Sequence, residues 1–340
     1  MNSSEQIDES RLSQSIGRNG RREPKGKKTI WQILLYVLVL AIVLAAVYLQ
    51  YPLKDLERHL GEVLGTIAGI LLVYGVPMLA ITLLWGTGII RKFFKNTYSG
   101  LKLGLGLFGV FTVLGTVLAV VILVILLAFN PSTTNLLNKP NPVLNVSPGF
   151  AWVMVGVSLL VTGPAEEYIF RGFVFGGLLD IFKKSHWLIL AFVSSLLFAA
   201  AHLYYAFTYG PASLIQFTEI VTFGMAMAGT YYLSGGNLFG IALIHGAYDA
   251  TAFVGVATST SVGLGLRAFM ILLGIIVAFL LYVQRENRKN HVPSNVPQEN
   301  TKATVSSAGL IRSTTTSANE VFRKPPILLS TTIFSSENSQ

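Results

Sequence analysis

Long apolar runs, separated by short polar segments, dominate the chain. Eight of them are long enough to cross a hydrocarbon core about 30 Å thick: residues 29–50, 62–85, 101–129, 149–178, 187–205, 212–233, 238–256 and 264–284. None shows the strict alternation of a barrel strand, and a lone spanning segment must satisfy its backbone hydrogen bonds internally. The pattern therefore predicts an all-α, polytopic membrane protein of about eight transmembrane helices. The pairs Gly65/Gly69, Gly100/Gly104 and Gly172/Gly176 place small residues four apart, as close helix contacts require.

Outside the spans the pattern changes character. Residues 1–28 are polar and basic, and the run after them is too long for a signal-peptide core, so it is read as a retained span. Residues 285–340 begin with a basic flank and continue rich in Ser, Thr and Asn without apolar period, the composition of a disordered tail. This divides the chain into a basic N-terminal tail (1–28), a helical membrane domain (29–284) and a C-terminal tail (285–340).

Composition agrees: 52% of residues are apolar and only 12% charged, against about 25% charged in a typical soluble domain. The formal net charge of +9 would suit nucleic acid, but its distribution argues otherwise. Arg91, Lys92, Lys95, Lys102, Lys183, Lys184, Arg285, Arg288 and Lys289 flank alternate loops, while the opposite side holds Lys54 and Arg58 beside three acids, Lys139 and Arg267. That is the positive-inside bias, which predicts both termini in the cytoplasm of a cell-membrane protein and the bilayer, not nucleic acid, as partner. There is no cysteine, so thiol catalysis, disulfides and cysteine-ligated zinc are excluded.

Ionisable side chains inside spans are costly and mark function by default. The fourth span holds Glu166, Glu167 and Arg171; the fifth ends on His202; the sixth holds Glu219; the seventh holds His245 and Asp249. Glu167 and Arg171 are four apart and share a face, which predicts an ion pair. Glu166 lies about 140° from Arg171 around the helix and should face elsewhere, free to act as a base. In the hairpin of spans four and five, Glu166 and His202 each lie about 25 Å from the turn, so antiparallel packing brings them to one level. His245 and Asp249 form a second i, i+4 pair, in which Asp249 is expected to orient the imidazole. For that pair to reach the first, the turn Ser234–Asn237 must dip into the protein. Glu219 with Gln216 is expected to be a hydrogen-bonded pair between helices, and His59, His186 and His291 to be ordinary loop or tail residues.

Three motifs then stand in order. Glu166-Glu167-Tyr168-Ile169-Phe170-Arg171 resembles the EExxxR motif of the CAAX protease and bacteriocin-processing family, Phe198–His202 its FxxxH motif, and His245–Asp249 its third, a histidine followed four residues later by Asn or Asp. The motif-bearing core covers about residues 149–256. The resemblance implies a CAAX prenyl protease-like intramembrane endopeptidase acting on a peptide or lipidated protein. Within it, Glu166 and His202 would activate water, and His245 and Asp249 would hold the oxyanion or the substrate carbonyl. Glu167, Arg171 and Phe198 would support them. Glu166, His202 and His245 could hold a Zn2+ ion or work without metal, and both alternatives stay open. No HExxH pair, GxGD motif or serine-nucleophile motif is present. A transporter or a bacteriocin-immunity-type binding protein is the non-enzymatic alternative, although no internal repeat supports a transporter.

Overall fold

The computed structural model describes residues 25–93, 97–137, 139 and 141–290. Most of the two predicted tails, with His291, and Lys95 of the second loop lie outside them, as do the side chains of Lys54, Arg58 and His59. Among the described residues there is no strand, and the protein is an all-α, multi-pass membrane protein.

Seven helical segments among the described residues are long and apolar enough to span: α1 (Ile30–Leu49), α2 (Leu60–Trp85), α3 (Thr97–Phe129), α4 (Pro148–Ile181), α6 (Tyr204–Leu233), α7 (Phe239–Ala257) and α8 (Thr260–Asn287). The fifth predicted span is shorter than expected. It is α5 (Trp187–Ala200), 14 residues and therefore about 21 Å long, followed by a turn in which His202 sits rather than by more helix. α6 is likewise broken near its start: Gly210 takes φ 52°, and its regular helix begins at Ser213.

α1 and α2 belong to one helical run, Lys25–Ile70, kinked at Gly61 with φ 77°, a conformation that glycine adopts without steric cost. Glu62, next to the kink, takes both polar hydrogens of Ser147: its Oε1 accepts from the Ser147 amide and its Oε2 from the hydroxyl, each at 2.6 Å. Ser147 is the N-cap of α4, and Pro148 fills the first helical turn, where a missing N–H costs nothing.

α7 is the most enclosed of the spans and α8 the least. α7 packs against α3, α4 and α8, while α6 is held between α3 and α5. The lipid-facing surfaces carry exposed Leu, Val, Ile and Phe, for example Val117, Val124 and Phe129 on α3 and Phe269, Leu272 and Phe279 on α8. The turn between α6 and α7 is indeed tucked inward: Ser234, Gly236 and Asn237 are buried, and a Cβ on Gly100 of α3 would collide with the Asn237 side chain. Gly104, one turn further along α3, faces Thr230 and Ile244.

α4 and α7 touch backbone to backbone. A Cβ on Gly163 would lie 2.5 Å from the Ala242 carbonyl oxygen and 2.6 Å from the Gly246 nitrogen, and one on Gly246 would lie 2.5 Å from the Ser158 oxygen. These two glycines let the helices approach within reach of short polar side chains. α4 also contains two π-helical stretches, Ser158–Thr162 and Tyr168–Phe175, on either side of Gly163–Glu167. Such wide turns shift the facing of the residues after them and recur at functional sites.

Candidate active site

Glu167 is fully buried, and its Oε1 receives two partners: the Arg171 Nη1 at 3.0 Å and the His245 Nδ1 at 2.6 Å. The i, i+4 ion pair read from the sequence is thus present, and it also holds the histidine of another helix. A buried charge pair of this kind persists only because both members are matched by hydrogen bonds; removing one partner leaves an uncompensated charge. The Arg171 guanidinium lies 4.5 Å from the centre of the Phe198 ring, a cation–π contact. Its Nη2 reaches toward the Gly224 carbonyl at 3.5 Å.

Glu166 faces away from Arg171, as the helix geometry requires. Its Oε1 accepts a 2.8 Å hydrogen bond from the Tyr74 hydroxyl, and its Oε2 lies 3.4 Å from the His245 Nε2. The same Nε2 is 3.4 Å from Asp249 Oδ2. His245 therefore meets a carboxylate at both ring nitrogens, and the short contact that fixes its orientation is to Glu167. Asp249, expected to orient the ring, instead approaches the nitrogen that faces the cavity, with its side chain one-third exposed. The close approach of α4 and α7 at their glycines brings Glu167 within 2.6 Å of Nδ1.

His202 is placed differently. Its Nδ1 is 2.9 Å from the Phe198 carbonyl oxygen; a carbonyl only accepts, so Nδ1 donates that bond and fixes the ring's orientation. His202 and Glu166 share no direct contact. They line one cavity, of about 790 Å³, together with Tyr74, His245, Asp249, Glu219, Tyr205 and Arg267. Phe198 ties the three motifs together: its ring is 4.8 Å from that of His202 and 5.9 Å from that of His245, and packs at 4.9 Å on Phe170 beside Arg171.

Residues 148–251 match the model of the family described as type II CAAX prenyl endopeptidase, Rce1-like. This segment is similar to the CAAX-protease type. The match takes in Glu166, Glu167, Arg171, Phe198, His202, His245 and Asp249, so the family resemblance read from three short motifs holds over a continuous stretch of four helices. A CAAX-type protease is a hydrolase that acts on peptide in the setting of a lipid bilayer. No curated protein and no solved structure matches the chain.

Tyr74 and Arg267 lie outside the matched segment and escaped sequence reading. Tyr74 sits in a π-helical stretch of α2, Leu71–Gly75; a single tyrosine in an otherwise apolar run was its only signal. Arg267, counted above with the loop charges, lies inside α8 on the cavity wall. Gln216 and Glu219 also line the cavity, but no hydrogen bond joins them, contrary to expectation: both belong to α6, and Gln216 Oε1 is buried without a hydrogen-bond partner. Among the described residues no three His, Cys, Asp or Glu side chains gather as metal ligands. Glu166, His202 and His245 line the same space but do not form a ligand shell, so the donor set does not fit zinc in this arrangement.

Proposed function

We propose that the chain is an intramembrane endopeptidase that hydrolyses a peptide bond in a membrane-associated, CAAX-like substrate, using water activated by Glu166. The observation that carries this reading is the meeting of Glu166, His245 and Asp249 at the wall of one cavity inside the spans, with Glu167 buried behind the His245 ring. Four ionisable groups would not be kept at that depth for packing alone.

Glu166 takes a proton from a water molecule as its oxygen attacks the substrate carbonyl carbon. Tyr74 keeps the other carboxylate oxygen occupied, so that the lone pairs of Oε2 face the water. The carbonyl oxygen becomes an oxyanion and is held by the His245 Nε2–H, with Nδ1–H anchored on Glu167. Asp249 and Glu166 each lie 3.4 Å from Nε2 and hold that edge of the ring toward the cavity. The C–N bond then breaks, and the proton held by Glu166 passes to the leaving amine. His202, on the same cavity, supports the attacking water through its Nε2.

The peptide reaches this cavity from the bilayer, which concentrates lipid-bearing substrates. Both termini are cytoplasmic if the short α5 counts as a crossing, as the loop charges require. The test is cleavage of a panel of prenylated and unmodified peptides by the purified, reconstituted chain and by its Glu166→Ala and His202→Ala variants, with chelator and zinc arms. Loss of cleavage in both variants, with helicity retained, supports the mechanism, and the chelator arm reports on metal. Cleavage that survives both substitutions contradicts it. A wild type that cleaves nothing favours a transporter or a binding protein.

A further inference from the structure

Arg267 is the only lysine or arginine among the residues that line the cavity. An arginine inside a spanning helix is expected to be paired, yet no carboxylate lies within ion-pair distance of it among the described residues. Its guanidinium instead stacks on the Tyr248 ring, 4.5 Å from the ring centre, and its Nε donates to the Thr251 hydroxyl at 3.4 Å. These two contacts fix the plane of the guanidinium and engage one of its five N–H groups. The fork of terminal N–H groups, the part that matches a carboxylate bidentately, makes no hydrogen bond among the described residues. Glu219, on α6, lines the same cavity and feels the charge of Arg267 from beyond ion-pair distance.

The position has a register. Thr251 follows His245 by six residues on α7, about 9 Å along the axis. An extended peptide advances about 3.3 Å per residue, so a chain whose scissile carbonyl sits at His245 reaches Arg267 about three residues later. Tyr248 and Asp249 form the wall between the two points.

We propose that Arg267 is a carboxylate-binding site that anchors the bound peptide on the C-terminal side of the scissile bond, through either its terminal α-carboxylate or an acidic side chain. The proposal rests on the peptidase reading for its register, whereas the binding site itself can be tested without turnover.

The experiment uses the reconstituted full chain as wild type, Arg267→Gln and Arg267→Lys. The probes are a fluorescent peptide as the free acid, the same peptide as the C-terminal amide, and an amide ending in glutamate. Binding and cleavage are read in parallel. The expected result is that the wild type binds the free acid about tenfold or more tightly than the plain amide. That preference should vanish in Arg267→Gln and partly return in Arg267→Lys, in direct binding and in KM alike. If the glutamate-ended amide binds like the plain amide, the α-carboxylate is the ligand; if it binds like the free acid, a side-chain carboxylate serves equally. Equal binding of acid and amide by the wild type, or an equal loss for both in Arg267→Gln, overturns the anchor. A preference for the acid that depends on Arg267 in a protein that cleaves neither peptide would keep the anchor and refute the peptidase.

Discussion

Glu62 and Glu167 are both carboxylates that accept two contacts at hydrogen-bond distance, and the two could hardly be placed more differently. Glu62 is exposed beside the Gly61 kink, and both its oxygens bond Ser147 at 2.6 Å. Glu167 is fully buried, and one oxygen holds Arg171 and His245 while Oε2 has no hydrogen-bond partner. The bond lengths alone would rank Glu62 as equally important. The surroundings reverse that ranking: an exposed carboxylate released from its partners recovers other solvation, whereas a buried one, or the arginine it leaves behind, recovers none. In this protein a contact's weight is set by the medium around it more than by its length.

Substitutions sharpen this contrast, the largest effect first. Glu167→Gln leaves Arg171 buried without a counter-charge and weakens the hold on His245 Nδ1, so a loss of about 3–5 kcal/mol of stability is expected, with loss of cleavage. Thermal unfolding in detergent, alongside the peptide assay, measures both. Gly246→Val should separate α4 from α7, since even a Cβ lies 2.5 Å from the Ser158 oxygen. A displacement of about 1 Å is enough for a rate loss on the order of 100-fold, and a crosslinking yield between the two helices would report the shift independently. Tyr74→Phe removes the hydroxyl that bonds Glu166 Oε1; about a tenfold fall in kcat is expected, with melting little changed. Glu62→Gln should leave cleavage and melting as they are. A Glu62→Gln variant as damaged as Glu167→Gln would show that the medium does not decide.

The spans were legible in the sequence because each is an apolar run bounded by charge, and seven of the eight expected runs are long apolar helices at nearly the expected limits. The fifth was overestimated because apolarity continues past Ala200 into a turn, and hydropathy does not register where a helix stops. The Glu167–Arg171 pair was legible too, since four-residue spacing is local information. The meeting of Glu167 with His245 was not. It depends on the approach of Gly163 to Gly246 and on the wide turns flanking the glutamates, and an ideal helical wheel contains neither. Tyr74 was hidden for a related reason: its hydroxyl gains meaning only from the carboxylate brought to it by another helix, 92 positions away. Arg267 was misread because a charge near a span end looks the same whether it faces solvent or a cavity.

Two carboxylates on the cavity wall provide the most direct test of the proposed chemistry, because they share a chamber and differ in company. Glu166 stands beside His245 and Tyr74, while Glu219 makes no such contacts. Cleavage of one membrane-bound peptide by reconstituted wild type, Glu166→Gln and Glu219→Gln, with melting measured on each, separates them. If Glu166 takes the proton from water, its amide variant loses about 1,000-fold or more in kcat while Glu219→Gln stays within a few-fold of wild type and both melt normally. Equal activity in the Glu166→Gln and wild-type proteins, or a loss confined to Glu219→Gln, would contradict it.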